Sequence, residues 1–189
     1  MHMIKTSFSV TRLISLACLG LACVSANAEK ADSNKETIIK AGYGISDGKA
    51  SVSRLSKGVS LVRGTLTVTS ESAVVTEAPN GDQFVVLTGG SGRKVTFRQK
   101  RDGGPDLWVD GEADRAEYNQ STEIVKFISK AKVRYLEGKR VTQEQEGEYL
   151  SYDSKNDVFV GTNSTSGQHV DGSGNITITL QPKPEKQAK

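Results

Sequence analysis

Cysteine is nearly missing from this 189-residue chain, and both copies, Cys18 and Cys23, lie in its first thirty residues. The remainder has no thiol from which to build a disulfide, a thiolate nucleophile or a cysteine metal site. Histidine is as scarce: His2 and His169 are the only two. His169 sits in SGQHVDGSG, with no serine or aspartate constellation of recognisable spacing around it, and reads as a solvated loop histidine. No HExxH, CxxC or GxSxG run occurs, and no Walker-type phosphate loop. The glycine-rich TGGSGRK at 88–94 lies between strand-like segments and opens no helix, so it reads as a mobile hairpin loop rather than a phosphate cradle. The acid clusters DGEAD (110–114) and QEQEGE (143–148) come with nothing that predicts two carboxylates held across a cleft, as sugar cleavage requires. DGSGN (171–175) lacks the spacing of a calcium loop. Solvated faces and turns are the reading for all three. No catalytic residue, metal site or cofactor is expected.

Long hydrophobic runs are also missing, apart from one near the N-terminus. Lys5 and Arg12 precede an apolar run of twelve residues, Leu13 to Val24, and Ala26-Asn27-Ala28 follows as a small-x-small site. That is the pattern of a secretory signal peptide, and the run is too short for a permanent membrane-spanning helix. A lipoprotein would place Leu three residues before its cysteine, where this chain has Gly20 and Ser15. Cleavage after Ala28 would leave 161 residues carrying 23 basic and 22 acidic side chains, a net charge of +1. Charge so balanced and mixed argues against a nucleic-acid surface, which needs a basic patch. Residues 29–36 read as a flexible lead-in. The stretch 181–189, QPKPEKQAK, reads as a disordered basic tail.

No helical period is sustained anywhere between 37 and 180. Short runs rich in Val, Ile, Thr, Tyr and Phe recur instead, punctuated by Gly, Asn and Asp. In RGTLTVTSESAVVTE, Leu66 and Val68 face one way and Thr65, Thr67 and Thr69 the other. Val95 and Phe97 share a face in RKVTFRQ, as do Val133 and Tyr135 in KVRYLEG. GNITITL does the same with Ile176, Ile178 and Leu180. Strict alternation means a strand with one dry face and one wet one. NGD at 80–82, DGGPD at 102–106, EGK at 137–139 and DGSG at 171–174 are turn chemistry. The expectation is an all-β, single-domain antiparallel meander of about 14–16 short strands.

One pattern is said twice. AEYNQSTEIVKF (116–127) returns as LSYDSKNDVFVG (150–161), matching Tyr118 with Tyr152, Asn119 with Asp153, and Ile124-Val125 with Val158-Phe159. A fainter echo sets LSKG (55–58) against ISKA (128–131). Hairpins share a common turn grammar, but matched Tyr, Asn/Asp and acidic positions in register point to one unit stacked on copies of itself. The aromatics Phe97, Trp108, Tyr118, Phe127, Tyr135, Tyr149, Tyr152 and Phe159 all fall on or beside strands, where core packing is their ordinary fate. Large residues are nonetheless few for so many strands. An underfilled, elongated apolar interior could accept apolar matter from elsewhere.

GVSLVRGTLTVTSESAVVTEAPNGDQ (58–83), GRKVTFRQKRDG (92–103), GEADRAEYNQSTEIVKFISKAKV (111–133) and EGKRVTQEQEGEYLSY (137–152) together resemble the OstA-type LptA family of periplasmic lipopolysaccharide-transport proteins. Each piece is strand and turn grammar; their order and spacing carry the resemblance, over roughly 37–161. It implies a β-jellyroll over 37–180, V-shaped and open at both ends, with lipid A acyl chains inside and sugars outside. It also implies head-to-tail self-association and partners that are an inner-membrane-anchored LptC-like and an outer-membrane LptD-like jellyroll. The interior contacts carried over from the family fall on Ile39, Phe97 and Tyr118. Alternation adds Leu55, Leu66, Val68, Val95, Val125, Phe127, Val133 and Tyr135. Gln120, two residues after Tyr118, departs from an apolar lining. The expected function is a non-enzymatic periplasmic lipopolysaccharide bridge. A structural β-module assembled through its edges, and a carbohydrate-active enzyme using the acids of 110–114, are the alternatives from other classes.

Overall fold

The computed structural model describes Asp32 and residues 35–101, 104, 106–153, 156 and 158–182. The expected signal peptide, much of the lead-in, most of the DGGPD turn and the tail from 183 lie outside the described residues. Among the described residues there are twelve strands: β1 (Thr37–Asp47), β2 (Val52–Arg63), β3 (Leu66–Ser70), β4 (Ser72–Glu77), β5 (Gln83–Thr88), β6 (Val95–Lys100), β7 (Leu107–Ala113), β8 (Arg115–Asn119), β9 (Ile124–Glu137), β10 (Arg140–Asp153), β11 (Val158–Thr162) and β12 (Thr177–Leu180). Among the described residues no helix is long and apolar enough to cross a membrane.

All the strand pairings are antiparallel, but the order is not that of a meander. The long strands divide at a bend, and each half pairs with a different neighbour. The first half of β2 pairs with β4 and its second half with β3. Likewise β9 pairs with β8 before its bend and with β7 after it. Two facing half-sheets result. One stacks β1, β2, β3, β6, β7, β9, β10 and β12; the other stacks β1, β2, β4, β5, β8, β9, β10 and β11. Four strands serve both halves, so twelve strands supply sixteen segments. Counting from sequence therefore anticipated fourteen to sixteen short strands where the chain carries straight through the bend.

In two of the four strands that cross the bend, the corner is a pair of left-handed residues. In β2 it falls at Lys57 and Gly58, with φ of 64° and 80°; in β9 it falls at Ser129 and Lys130, with φ of 64° and 52°. These are the LSKG and ISKA segments, so the faint echo marks two equivalent corners. Between the corners, backbone hydrogen bonds continue from layer to layer: Gly58 N–H donates to Glu71 O, Glu71 N–H to Thr88 O, Gly89 N–H to Asp114 O, and Asp114 N–H to Ser129 O. TGGSGRK is not a hairpin joining paired strands. It carries the chain from β5 in one half to β6 in the other, with a tight turn closed by reciprocal bonds between Gly90 and Arg93. Gly58 has open space where a side chain would project, so Gly58→Ala tests backbone conformation alone. A left-handed non-glycine residue costs about 1–2 kcal/mol, and a loss of about 1 kcal/mol in urea denaturation is expected, with the fold retained.

The stronger repeat is structural too. Tyr118 pairs with Val125 and Asn119 with Ile124 in the β8–β9 hairpin; Tyr152 pairs with Phe159 and Asp153 with Val158 in β10–β11. Both turns are closed by the side chain that ends the first strand. Asn119 Oδ1 accepts from Ser121 and Thr122 N–H, and Asp153 Oδ1 accepts from Asn156 N–H.

Candidate functional site

Residues directly opposite in an antiparallel ladder share a face. Following the pairings across the first half-sheet gives one unbroken inward row: Ile39, Leu61, Val68, Phe97, Gly111, Val133, Gln145 and Ile178. Across the second, the matching row is Gly44, Leu55, Ala73, Leu87, Ala116, Phe127, Leu150 and Gly161. A further row beside it runs Ser53, Val75, Val85, Tyr118, Val125, Tyr152 and Phe159. Eight layers about 4.8 Å apart make an apolar seam roughly 34 Å long.

All eleven sequence-derived lining residues stand in this interior. Leu66, Val68, Val95, Phe97, Tyr118, Val125, Phe127 and Val133 belong to one buried cluster, and Ile39, Leu55 and Tyr135 pack against it. Sequence reasoning passed over Val59, Leu61, Val75, Val85, Leu87 and Leu150, which are equally buried. The alternation in SAVVTE and QFVVLT was the signal for three of them, Val75, Val85 and Leu87. Gln120 is not a break in the lining. Its Oε1 accepts from Gln83 N–H at 3.0 Å and its N–H donates to Gln83 O, so it closes the rim of β5. The expected dry face of GNITITL is only half formed: Ile178 and Leu180 lie on the inward side but are 51% and 70% exposed, because no further layer covers β12.

The two halves meet tightly. Phe97 and Phe127 stack across the interior with ring centroids 4.9 Å apart and planes 20° from parallel. Around them remain apolar voids of about 20, 20 and 10 Å³. Each is room for about one water molecule, far less than a fatty chain. Tyr135 lies toward the mouth with the Arg101 guanidinium 4.8 Å over its ring. Burial pushes its phenol pKa up, against the opposing pull of Arg101. The seam accommodates an apolar guest only by parting facing side chains.

The acids of 110–114, and Glu144 and Glu146 of 143–148, are on the outer face and paired with bases, while Glu148 accepts from the backbone N–H of Lys130. Asp110 is held between Arg98 (3.0 Å) and Arg134 (2.7 Å), Glu112 by Lys94 (2.9 Å), and Asp114 faces Lys130 (3.5 Å). Lys132 bridges Glu144 and Glu146. The hydrogen bond from Lys94 holds Glu112 below the ordinary glutamate range, and that from Glu146 raises Lys132 above the ordinary lysine value. Asp110 with Arg98 and Arg134, and Lys132 with Glu146, are ladder partners, while Glu112, Glu146 and Glu148 border an open polar groove of about 430 Å³ on this outer face. His169 is exposed, 3.2 Å from Asp171.

Among the described residues both ends of the stack are open: no strand pairs beyond β1, where Ile38, Tyr43 and Ile45 are exposed, and β11 and β12 end the other side, with Val158, Phe159 and Val160 exposed. The class is that of a two-sided antiparallel jellyroll with a continuous apolar seam, its terminal strands unpaired on their outer edges among the described residues. The chain belongs to the family described as LptA/(LptD N-terminal domain) LPS transport protein, whose sequence model matches residues 38–158. It is 25% identical over 178 residues to the lipopolysaccharide export system protein LptA of Haemophilus influenzae, covering 94% of this chain and 95% of that one. Its fold matches the crystal structure of LptH, the LptA-homologous periplasmic component of the lipopolysaccharide transport device of Pseudomonas aeruginosa, with a TM-score of 0.64. That match has 20% identity and covers 80% of this chain and 99% of LptH.

Proposed function

We infer that this protein is a periplasmic bridge for lipopolysaccharide, sheltering lipid A acyl chains in the seam between its half-sheets. The observation that carries the reading is the unbroken inward row from Ile39 to Ile178, apolar but for Gln145. Burying a CH₂ contributes roughly 0.8 kcal/mol, so a dozen-carbon chain contributes about 9 kcal/mol when enclosed. Parting an aromatic stack such as Phe97–Phe127 forfeits only about 0.5–1.5 kcal/mol beyond its buried area. The burial gained by one enclosed chain exceeds the loss of that stack. Because the layers repeat, neighbouring positions offer similar burial, and the lipid can advance without meeting one deep well. Ile39, Leu55, Leu66, Val68, Val95, Phe97, Tyr118, Val125, Phe127, Val133 and Tyr135 are the proposed acyl contacts.

The unpaired backbone of β1 at one end, and of β11 and β12 at the other, suits extension by strand addition. Head-to-tail self-association and docking to LptC-like and LptD-like jellyrolls are proposed on that ground. Export by a signal peptide cleaved after Ala28 completes the reading, with 29–36 as lead-in, 37–180 as the jellyroll and 181–189 as tail.

Site-specific photo-crosslinking in growing cells tests the lipid path, with the reactive group at Phe97 or at Thr67, its outward-facing neighbour on β3. A lipopolysaccharide adduct at Phe97 and none at Thr67 is expected. Adducts at neither site, in folded and exported protein, would leave the structural-module reading in its place. Equal adducts at both would mean surface adhesion.

A further inference from the structure

One side chain of the seam does not match its neighbours. Gln145 stands in the inward row of β10, opposite Val133 of β9 and Ile178 of β12, and is only 8% exposed. Its Oε1 is buried with no hydrogen-bond partner. The side chain lines the void of about 20 Å³ beside the aromatic stack, together with Phe97, Phe127, Val133, Tyr135 and Leu150. Gln99, the other inward glutamine whose carbonyl has no partner, differs in that its Nε2 is engaged by Asp32 at 3.4 Å.

A buried carbonyl with no donor loses the hydrogen bond it makes to water in the unfolded chain, and an apolar residue of similar size would pack at this position without that loss. The carbons of an acyl guest bring no donor either. A hydroxyl on the chain does: its O–H donates to Oε1, and its oxygen can accept in turn from the amide N–H₂ of the same side chain. The space fits as well, since the void has room for about one water molecule, the size of one hydroxyl group. We propose that Gln145 is a specificity-determining residue that reads a hydroxyl on an enclosed acyl chain, so that the seam beside β12 prefers hydroxylated chains to plain ones. This rests on the acyl-chain function proposed above. The preference is confined to one position of the seam, because the other residues of its row are apolar or glycine.

The test compares a dozen-carbon fatty acid with its monohydroxylated isomers as ligands of the exported protein and of its Gln145→Leu variant, by displacement of a bound fluorescent fatty acid. At least one isomer should bind the wild type about five- to tenfold tighter than the plain acid, as expected for a hydrogen bond to a buried group that otherwise has none. Isomers whose hydroxyl falls elsewhere on the chain should show no gain. Gln145→Leu should lose the preference and bind the plain acid at least as tightly as the wild type does. A merely structural effect of the replacement would weaken both ligands alike and leave their ratio unmoved. If the plain acid binds and no isomer is preferred, or if the preference survives in Gln145→Leu, the proposal is overturned and the acyl-chain reading stands. If neither the plain acid nor any isomer binds, both fail.

Discussion

Phe97→Ala is expected to destabilise the protein by about 3–5 kcal/mol, the usual cost of deleting a buried aromatic ring. Phe97 is the point at which the two half-sheets touch most directly, through its stack on Phe127. It also sits in the buried cluster between Val68 and Gly111 of its own row. Its removal takes contacts from both walls at once, and the two sheets cannot collapse into the gap without bending all eight layers. Urea denaturation with a two-state fit reads the effect. A loss below about 1 kcal/mol would mean that the halves are not packed against each other at this layer, as for a surface position.

Gly111→Ala is expected to cost about 2–4 kcal/mol, although it adds a single methyl group. Gly111 lies opposite Phe97 on one side and Val133 on the other. A Cβ at Gly111 would come within 2.5 Å of the Lys132 carbonyl oxygen and 2.5 Å of Phe97 Cε1. The ring could rotate aside; the carbonyl belongs to the ladder and cannot. The two replacements should therefore be non-additive. In a Phe97→Ala background the cost of Gly111→Ala should fall by about 0.5–3 kcal/mol, the range found for residues in contact, without vanishing. What remains is the clash with Lys132 O. Strict additivity would show that Phe97 does not lie over Gly111.

The outward face contributes less. Its ion pairs, such as Lys94–Glu112 with both side chains about one-third exposed, are screened by solvent and worth at most about 1 kcal/mol each. Glu112, held below its ordinary pKa by Lys94, adds stability that is present above the carboxylate range and lost as pH falls through its lowered value. Lys132, raised by Glu146, adds stability that is lost as pH rises through its elevated value.

Much of this was legible in the residues because a strand repeats every two positions. The dry face of LTVTS, VTF or KVRY can be read without knowing what it faces, and the eight lining residues read from alternation stand in the interior, as do the three carried over from the family resemblance. The Tyr–Asn and Tyr–Asp hairpins were legible for a similar reason, since a turn closed by the side chain that ends its strand is local chemistry. Failures came wherever the answer depended on a distant partner. TGGSGRK has the composition of a hairpin loop, yet β5 and β6 pair with other strands. Ile178 and Leu180 alternate well, but nothing stacks beyond them. Asp32 gave no signal at all, because its ligands Thr65 and Gln99 are 33 and 67 residues away.

The sequence by itself determined that this is an all-β chain, which face of most strands is dry, where the turns fall, and that cysteine chemistry is excluded after residue 23. Those properties follow from local periodicity and composition, which need no partner. Tertiary structure alone decided that β2 and β9 each belong to two half-sheets, that their inward rows align into one seam, and that the Asp32 carboxylate is seated on the β2–β3 turn. Each of these depends on which strand lies beside which, and backbone hydrogen bonds, being the same for every residue, carry no sequence label that could announce the choice.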